Sequence, residues 1–331
     1  MLKTRRILKA GALITLAAVI AAPVAAETTL KASSALSTSR EQTQSYINYF
    51  LNVLNDEGKG IVQTKYIGGP EVTPPRKQAA ALKRGSFDIT MSPASYYIGI
   101  VPEGYAILVT NMDAKGLRAS GGFALLDAAH QKKGNAKLIA WGESNGAFNT
   151  YLAKKPAMMS DGQVSLKGFK MRSTATYRPL FEFLGATPVG MKSSEIYTGL
   201  QRGVIQGFGS PSSGLVRIGV KGMVKFRVDP SYYRLNNFTI MNLDVWKALP
   251  REGKALVQKT ALSYEAASDK DYLGQAAKDE MEMKSSGMSV ITLKGTAAKD
   301  YVNAANAAVW KKFGTLVGAE TAAKYKAVFV K

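Results

Sequence analysis

Arg172 is the side chain best placed to do chemistry in this chain. It closes a short alternating stretch, residues 166–174, in which Phe169 and Met171 share one face, and the helix-like TYRPLFEFLG begins directly after it. Ligands of open α/β sheets bind at the carboxyl ends of strands. A guanidinium in that place suits an anion, because its planar fork pairs both carboxylate oxygens at once, which a lysine cannot reproduce. The spacing predicts a carboxylate-binding half-site around Arg172.

Other chemistries are harder to build from these residues. Gly142, Glu143, Ser144, Asn145 and Gly146 spell a nucleophile-elbow pattern after the strand-like KLIAW. An elbow serine needs a helix after it and a histidine later in the chain. Here a strand-like FNTYLA follows, and the single histidine, His130, precedes Ser144. A secreted serine hydrolase using Ser144 is therefore the alternative reading, and no catalytic residue is assigned. His130, in LLDAAHQKKG, reads as the polar end of a surface helix. One histidine and no cysteine exclude the usual zinc constellations, leaving only carboxylate-built calcium or magnesium sites formally open. GGFALL lacks the spacing and the lysine of a phosphate loop. Asp56 with Glu57, and Glu280 with Glu282, fall on polar faces as solvated charge. No metal or other cofactor is expected.

Beyond Arg172 the chain reads as a helix, the loop ATPVGM, a second amphipathic helix opened by Ser193 or Ser194 and stopped by Gly203, and a strand, VIQGF, returning to GSP. This order resembles the solute-binding proteins of the tripartite ATP-independent periplasmic (TRAP) transporters, the DctP type. Their signature runs roughly LKGxKxR and then LGAxPxxMxxxExYxALQxGxxDGxxxP. Leu166, Lys167, Gly168, Lys170, Arg172, Leu184, Gly185, Ala186, Pro188, Met191, Glu195, Tyr197, Leu200, Gln201, Gly203, Gly207 and Pro211 fall into register with it.

The resemblance implies an α/β fold of the type II-like periplasmic binding protein kind, two lobes with a ligand cleft between them, hinge crossings and one long helix spanning both lobes. It assigns to Arg172 the main salt bridge to a substrate carboxylate. It also implies that the loop after SFDITMS lines the pocket, where Tyr96 combines an apolar edge with a hydroxyl. Members that bind dicarboxylates or sialic acid often carry a second arginine just after the glycine corresponding to Gly146; this chain has Ala147, Phe148 and Asn149 there. The family's asparagine before a proline is Ser210, and a frequent phenylalanine falls at about Ser193. One charged anchor with hydroxyl, amide and tyrosine partners implies a monocarboxylate, such as an aromatic, branched or keto acid. Tyr233, Asn236 and Asn237 lie where the chain crosses back between lobes, able to reach a ligand or to satisfy hinge backbone. In such a receptor the anion docks on the second lobe, first-lobe contacts favour closure, and the closed form is presented to a membrane permease driven by an ion gradient. A monomer is implied. A related binding protein feeding a sensor or an ATP-driven importer is the remaining alternative.

The elements that must position these residues are legible along the rest of the chain. TLKASSAL reads as a strand, and Ser37 or Ser39 caps a helix in which Tyr46, Phe50, Val53 and Leu54 recur at helical spacing before Gly58. The strand IVQTKYI, a helix through PPRKQAAALKRG and the strand SFDITMS follow. KLIAWGESNGAFNTYLAKKP reads as two strands about a turn that carries the first crossing between lobes. From Lys254 to about Ser285 a proline-free pattern repeats Leu262, Ala266, Leu273, Ala277 and Met281, too small and sparse for a zipper seam. SVITL and two terminal helices complete the chain. Lobe I is expected at 27–149 plus 237–280, and lobe II at 150–236 plus 281–331.

At the amino terminus Lys3, Arg5, Arg6 and Lys9 precede an apolar run from Ala10 to Ala22, with Val24 and Ala26 flanking a cleavage point. This is a secretory signal peptide over 1–26, too short for the roughly 20 apolar residues of a membrane span. TRRILK is partly like a twin-arginine signal, so either export route fits. The absence of cysteine removes disulfides and a lipid-anchoring residue, which places the expected protein free in a Gram-negative periplasm. Losing four basic and no acidic residues lowers the formal charge from +20 to +16. The basic residues are scattered rather than gathered into runs with aromatics, which favours anionic solutes and argues against nucleic acid.

Overall fold

The computed structural model describes residues 27–174 and 176–330; the expected signal peptide lies outside them. Along the chain run β1 (Thr28–Ser34), β2 (Val62–Gly68), β3 (Ile89–Pro93) and β4 (Ala136–Gly142). Next come β5 (Ala147–Leu152), β6 (Ala157–Met158), β7 (Val164–Ser165), β8 (Lys170–Ser173) and β9 (Thr187–Gly190). Then β10 (Gly207–Pro211), β11 (Phe226–Arg234), β12 (Asn237–Asn242) and β13 (Ser289–Thr292) complete the set.

Two main sheets result. The first has the order β2-β1-β3-β12-β4, and the second β13-β11-β5-β10-β8-β9. The chain passes from the first sheet to the second between Gly142 and Ala147, and returns between Arg234 and Asn237. All six residues of β5 belong to the second sheet, so the expected boundary at 149/150 falls inside a strand.

ATPVGM, expected as a loop, contains β9. Its four residues pair in parallel with β8, from Lys170 opposite Thr187 to Ser173 opposite Gly190. β9 is the sheet edge, where Pro188 costs no ladder bond to a further strand. The first helix also begins differently. Ser37 and Ser39 bond each other at 2.7 Å, and Arg40 is the N-cap residue, with no side-chain cap.

The long helix is present as Arg251–Ser285, but the expected apolar repeat does not face the core. Leu262, Leu273 and Met281 are 54%, 52% and 66% exposed, while Val257, Ala261, Tyr264, Ser268, Tyr272, Asp279 and Met283 are buried. The buried face is the more polar one because it lies along the first chain crossing and the segment that follows β10, whose backbone groups need partners. Glu143 N–H donates to Ser268 Oγ at 3.0 Å, Leu215 N–H to Asp279 Oδ2 at 2.8 Å, and Tyr272 shares a 2.9 Å hydrogen bond with Ser212.

His130 also departs from expectation. It is fully buried, its Nδ1 lies 2.7 Å from the Leu126 carbonyl and its Nε2 3.0 Å from the Tyr97 hydroxyl. The carbonyl can only accept, so Nδ1 carries the proton and Nε2 accepts from Tyr97. Burial holds the imidazole pKa below its ordinary value, keeping the ring neutral. The terminal helix Ala319–Phe329 packs against first-lobe elements: Thr110 donates to the Phe329 carbonyl at 2.7 Å, and Tyr325 to the Leu125 carbonyl at 3.0 Å. Among the described residues, no helix is long and apolar enough to cross a membrane.

Candidate functional site

Arg172 sits in β8 between β10 and β9, with Phe208 and Val189 as its neighbours in register. Phe208 is in turn paired with Tyr151 of β5, and their rings stack at 5.6 Å. Residues paired across a sheet share a face, so the arginine stem runs beside a wall of buried aromatic surface. The side chain is pinned at one nitrogen, Nε donating to the Met191 carbonyl at 3.0 Å. Arg172 as a whole is only 6% exposed, and among the described residues no carboxylate pairs with it. A buried cation without a counter-ion is costly. Its guanidinium carries five N–H donors, one given to Met191 and another in hydrogen-bonding reach of the Tyr177 hydroxyl, and the fork meets no acidic group among the described residues, which suits an anion.

Tyr177 stands beside that fork, its ring centre 6.0 Å from the guanidinium carbon. Burial raises the Tyr177 hydroxyl pKa, the Arg172 cation opposes the rise, and the Tyr96 hydroxyl adds to it. Tyr96, half-buried in a turn after β3, therefore faces Tyr177 closely enough to be felt electrostatically. The guanidinium of Arg76 lies 5.1 Å from the Tyr96 ring centre. Asn236 holds the turn, its Oδ1 accepting from both the N–H and the hydroxyl of Ser95 at 3.2 Å. First-lobe Arg76 and Tyr96 and second-lobe Tyr177 and Arg172 thus form a row with a guanidinium at each end and two tyrosine rings between them.

The other residues singled out from sequence are distributed more widely. Ser210, half-buried at the end of β10, is paired with Asn149 on the same sheet face as Arg172. The Asn149 amide is committed to β11, donating to Asp229 Oδ1 at 2.8 Å. It lines a cavity of about 680 Å³ with Arg227, Asp229, Glu280 and Leu273, against the long helix and away from Arg172. That cavity's cation is already neutralised, since Arg227 pairs with Asp229 at 2.9 Å and Glu280 at 2.8 Å. Tyr233 is a structural tie, its hydroxyl 3.1 Å from the carbonyls of both Thr176 and Ala305. Ser193 lies at the surface and accepts from Arg40 of the first lobe at 3.2 Å. Tyr177, Arg76 and Arg40 escape the sequence reading; only the position of Tyr177 at the helix start just after Arg172 could have signalled it.

Asn237 donates to Glu143 at 2.6 Å, joining the two crossings. Glu143 is buried, sits at φ 54°, and its carboxyl is pushed up to about 8, chiefly by burial. The Asn237 hydrogen bond opposes that rise, whereas Asp269, Asp271 and Glu41 add to it.

Ser144 has no nucleophile's environment. It is fully buried, donates to Asp269 Oδ2 at 2.7 Å and accepts the Ala114 N–H at 3.0 Å. Asp269 also takes the Asn145 N–H at 2.8 Å, so the elbow-like turn is a crossing strapped to the long helix. Ser144→Ala should cost about 1–3 kcal/mol of stability by stranding those partners. Urea denaturation checks this, and an unchanged midpoint would contradict the structural role.

Residues 32–315 match the family of bacterial extracellular solute-binding proteins, family 7. The chain is 29% identical over 205 residues to the C4-dicarboxylate-binding periplasmic protein DctP of Rhodobacter capsulatus, a match covering 60% of this chain and 58% of that protein. In structure it is similar to a TRAP periplasmic solute-binding protein of Ochrobactrum anthropi, with TM-score 0.77, 20% identity, and 92% of this chain and 95% of that one covered. A Bordetella pertussis extracytoplasmic solute receptor binding pyroglutamic acid gives TM-score 0.73 at 16% identity, over 91% of this chain and 99% of that one. At such identities the structural likeness speaks for the fold.

Proposed function

Because the chain belongs to family 7 of the bacterial extracellular solute-binding proteins, the DctP-type receptors of TRAP transporters, we propose that it captures a small monocarboxylate through Arg172 and hands it to a TRAP-type permease. The family is one of binding proteins rather than enzymes, and the buried, strapped Ser144 agrees with that. The observation that carries the reading is the Arg172 guanidinium, buried at a strand end, pinned at Nε and without an acidic partner among the described residues.

The finer ligand class follows from charge. Ala147, Phe148 and Asn149 occupy the place of a second arginine on β5, and the Asn149 amide is held by Asp229. A second carboxylate would find no fixed cation on that strand. The aromatic surface of Tyr177 beside the fork, with Tyr96 beyond it, favours an apolar or planar body, as in an aromatic, branched or keto acid. The relatives' ligands, C4-dicarboxylates and pyroglutamate, are small organic acids of differing charge. Docking on the second lobe followed by bending at residues 143–146 and 235–236 would bring Tyr96 onto the ligand. Release from the signal peptide leaves a periplasmic monomer in this reading.

The test is a thermal-shift screen of residues 27–331 against monocarboxylates, dicarboxylates, sugars and amino acids. Ligands that bind only the native state raise the melting temperature by mass action. Shifts confined to monocarboxylates are expected; shifts with dicarboxylates alone, or with none of the acids, would overturn the assignment.

A further inference from the structure

We propose that Arg40, a first-lobe residue, is a positioning residue for Arg172, acting through Ser193 and the Met191 carbonyl so that a standing contact between the lobes orients the ligand-binding fork. The proposal rests on the reading of Arg172 as the carboxylate anchor.

The path is short and made of hydrogen bonds. Arg172 Nε donates to the Met191 carbonyl at 3.0 Å, and the Arg40 guanidinium donates to Ser193 Oγ at 3.2 Å. Between these contacts the chain is tightened into a small unit: Lys192 N–H donates to Glu195 Oε2 at 2.9 Å and Glu195 N–H returns to the Lys192 carbonyl at 3.1 Å. Two reciprocal bonds of this kind fix a turn, so a pull on Ser193 is passed to Met191 rather than absorbed between them. Within its own lobe the turn follows β9, an edge strand of exposed and half-buried residues, and Ser193 itself is exposed. The first lobe supplies the missing restraint.

The contact is not isolated. The same first-lobe turn grips the second lobe again, with Arg217 donating to the Ser39 carbonyl at 2.6 Å and lying 3.4 Å from Glu41 Oε1. Burial raises the Glu41 carboxyl at this seam, while Arg217 and the Ser213 hydroxyl of the second lobe oppose the rise. Residues 39–41 therefore form the first-lobe side of a seam between the lobes. Pinning Nε fixes the plane of the guanidinium, and with it the direction of the two terminal nitrogens that pair a carboxylate.

The experiment is nitrogen-15 NMR of the arginine side chains in ligand-free protein, residues 27–331, with the Arg172 Nε–H signal assigned by its loss in Arg172→Lys. The native signal should be protected from exchange by the Met191 carbonyl. Arg40→Ala and Ser193→Ala should each speed that exchange about tenfold, the worth of one hydrogen bond, with unchanged melting temperatures because neither side chain is in the core. Ser193→Thr, which keeps the hydroxyl, should behave as native. A native Nε–H that exchanges like free arginine, or one unmoved by either alanine variant, would overturn the proposal. The readout needs no ligand, so it fails or stands separately from the thermal-shift screen that tests the receptor reading.

Discussion

Arg172→Ala should lower affinity for the carboxylate ligand by on the order of a hundredfold or more, because removing one partner of a buried, hydrogen-bonded charge pair costs about 2–5 kcal/mol. Among the described residues the fork is the guanidinium that β8 carries near its carboxyl end, and Tyr177 and Ser210 supply hydroxyls, not charge. Ligand-free stability should hardly fall, since an unpaired buried cation contributes little to the empty protein and its loss relieves desolvation. Arg172→Lys separates charge from geometry. It keeps the cation but loses both the planar fork and the Nε bond to Met191, so it should recover only part of the affinity. Calorimetric titration with the acid giving the largest thermal shift measures both variants. Native-like affinity in the alanine variant would remove Arg172 from the site altogether.

The second large effect is on stability against pH. Glu143 has its carboxyl pushed from an ordinary 4.5 up to about 8 in the folded protein. Below pH 4.5 both folded and unfolded chains hold the proton, and the protein has its full stability. Between pH 4.5 and about 8 the unfolded chain releases the proton while the folded chain retains it, so stability falls as pH rises; above that both are ionised and the loss is complete. At about 1.36 kcal/mol per pH unit the full span is on the order of 5 kcal/mol. Burial also raises Glu41, Glu265 and Asp269, which slope the same way. Comparison with Glu143→Gln isolates the one residue, since glutamine keeps an acceptor for Asn237 and cannot ionise. Denaturation at about pH 5, 7 and 9, spanning the window between the two pKa values, should show the native protein weakening and the variant weakening much less. Parallel slopes for the two proteins would show that Glu143 does not carry the dependence.

Much of this protein is legible in its amino-acid sequence. The motif over residues 166–211 points to the family and the α/β class, and the alternation of Phe169 and Met171 places Arg172 at a strand end, where the structure has it. These are short-range patterns: a period of two, a cap, a glycine after a helix, each set by a residue's immediate neighbours. The departures share a cause too. Leu262, Leu273 and Met281 follow helical spacing yet face outward, His130 on a lysine-rich helix is buried against Tyr97, and Ser144 in a nucleophile's pattern is strapped by Asp269. In each case the partner lies far along the chain or on another element, and burial is decided by what packs there. The pairing of Arg40 with Ser193 is likewise beyond any local pattern, because those residues are 153 positions apart. Sequence alone determined the family, most of the elements and the placing of Arg172 at a strand end. Only the tertiary structure decided which polar groups were spent on joining the lobes and which remained free, because a hydrogen bond between distant segments leaves no periodicity to read.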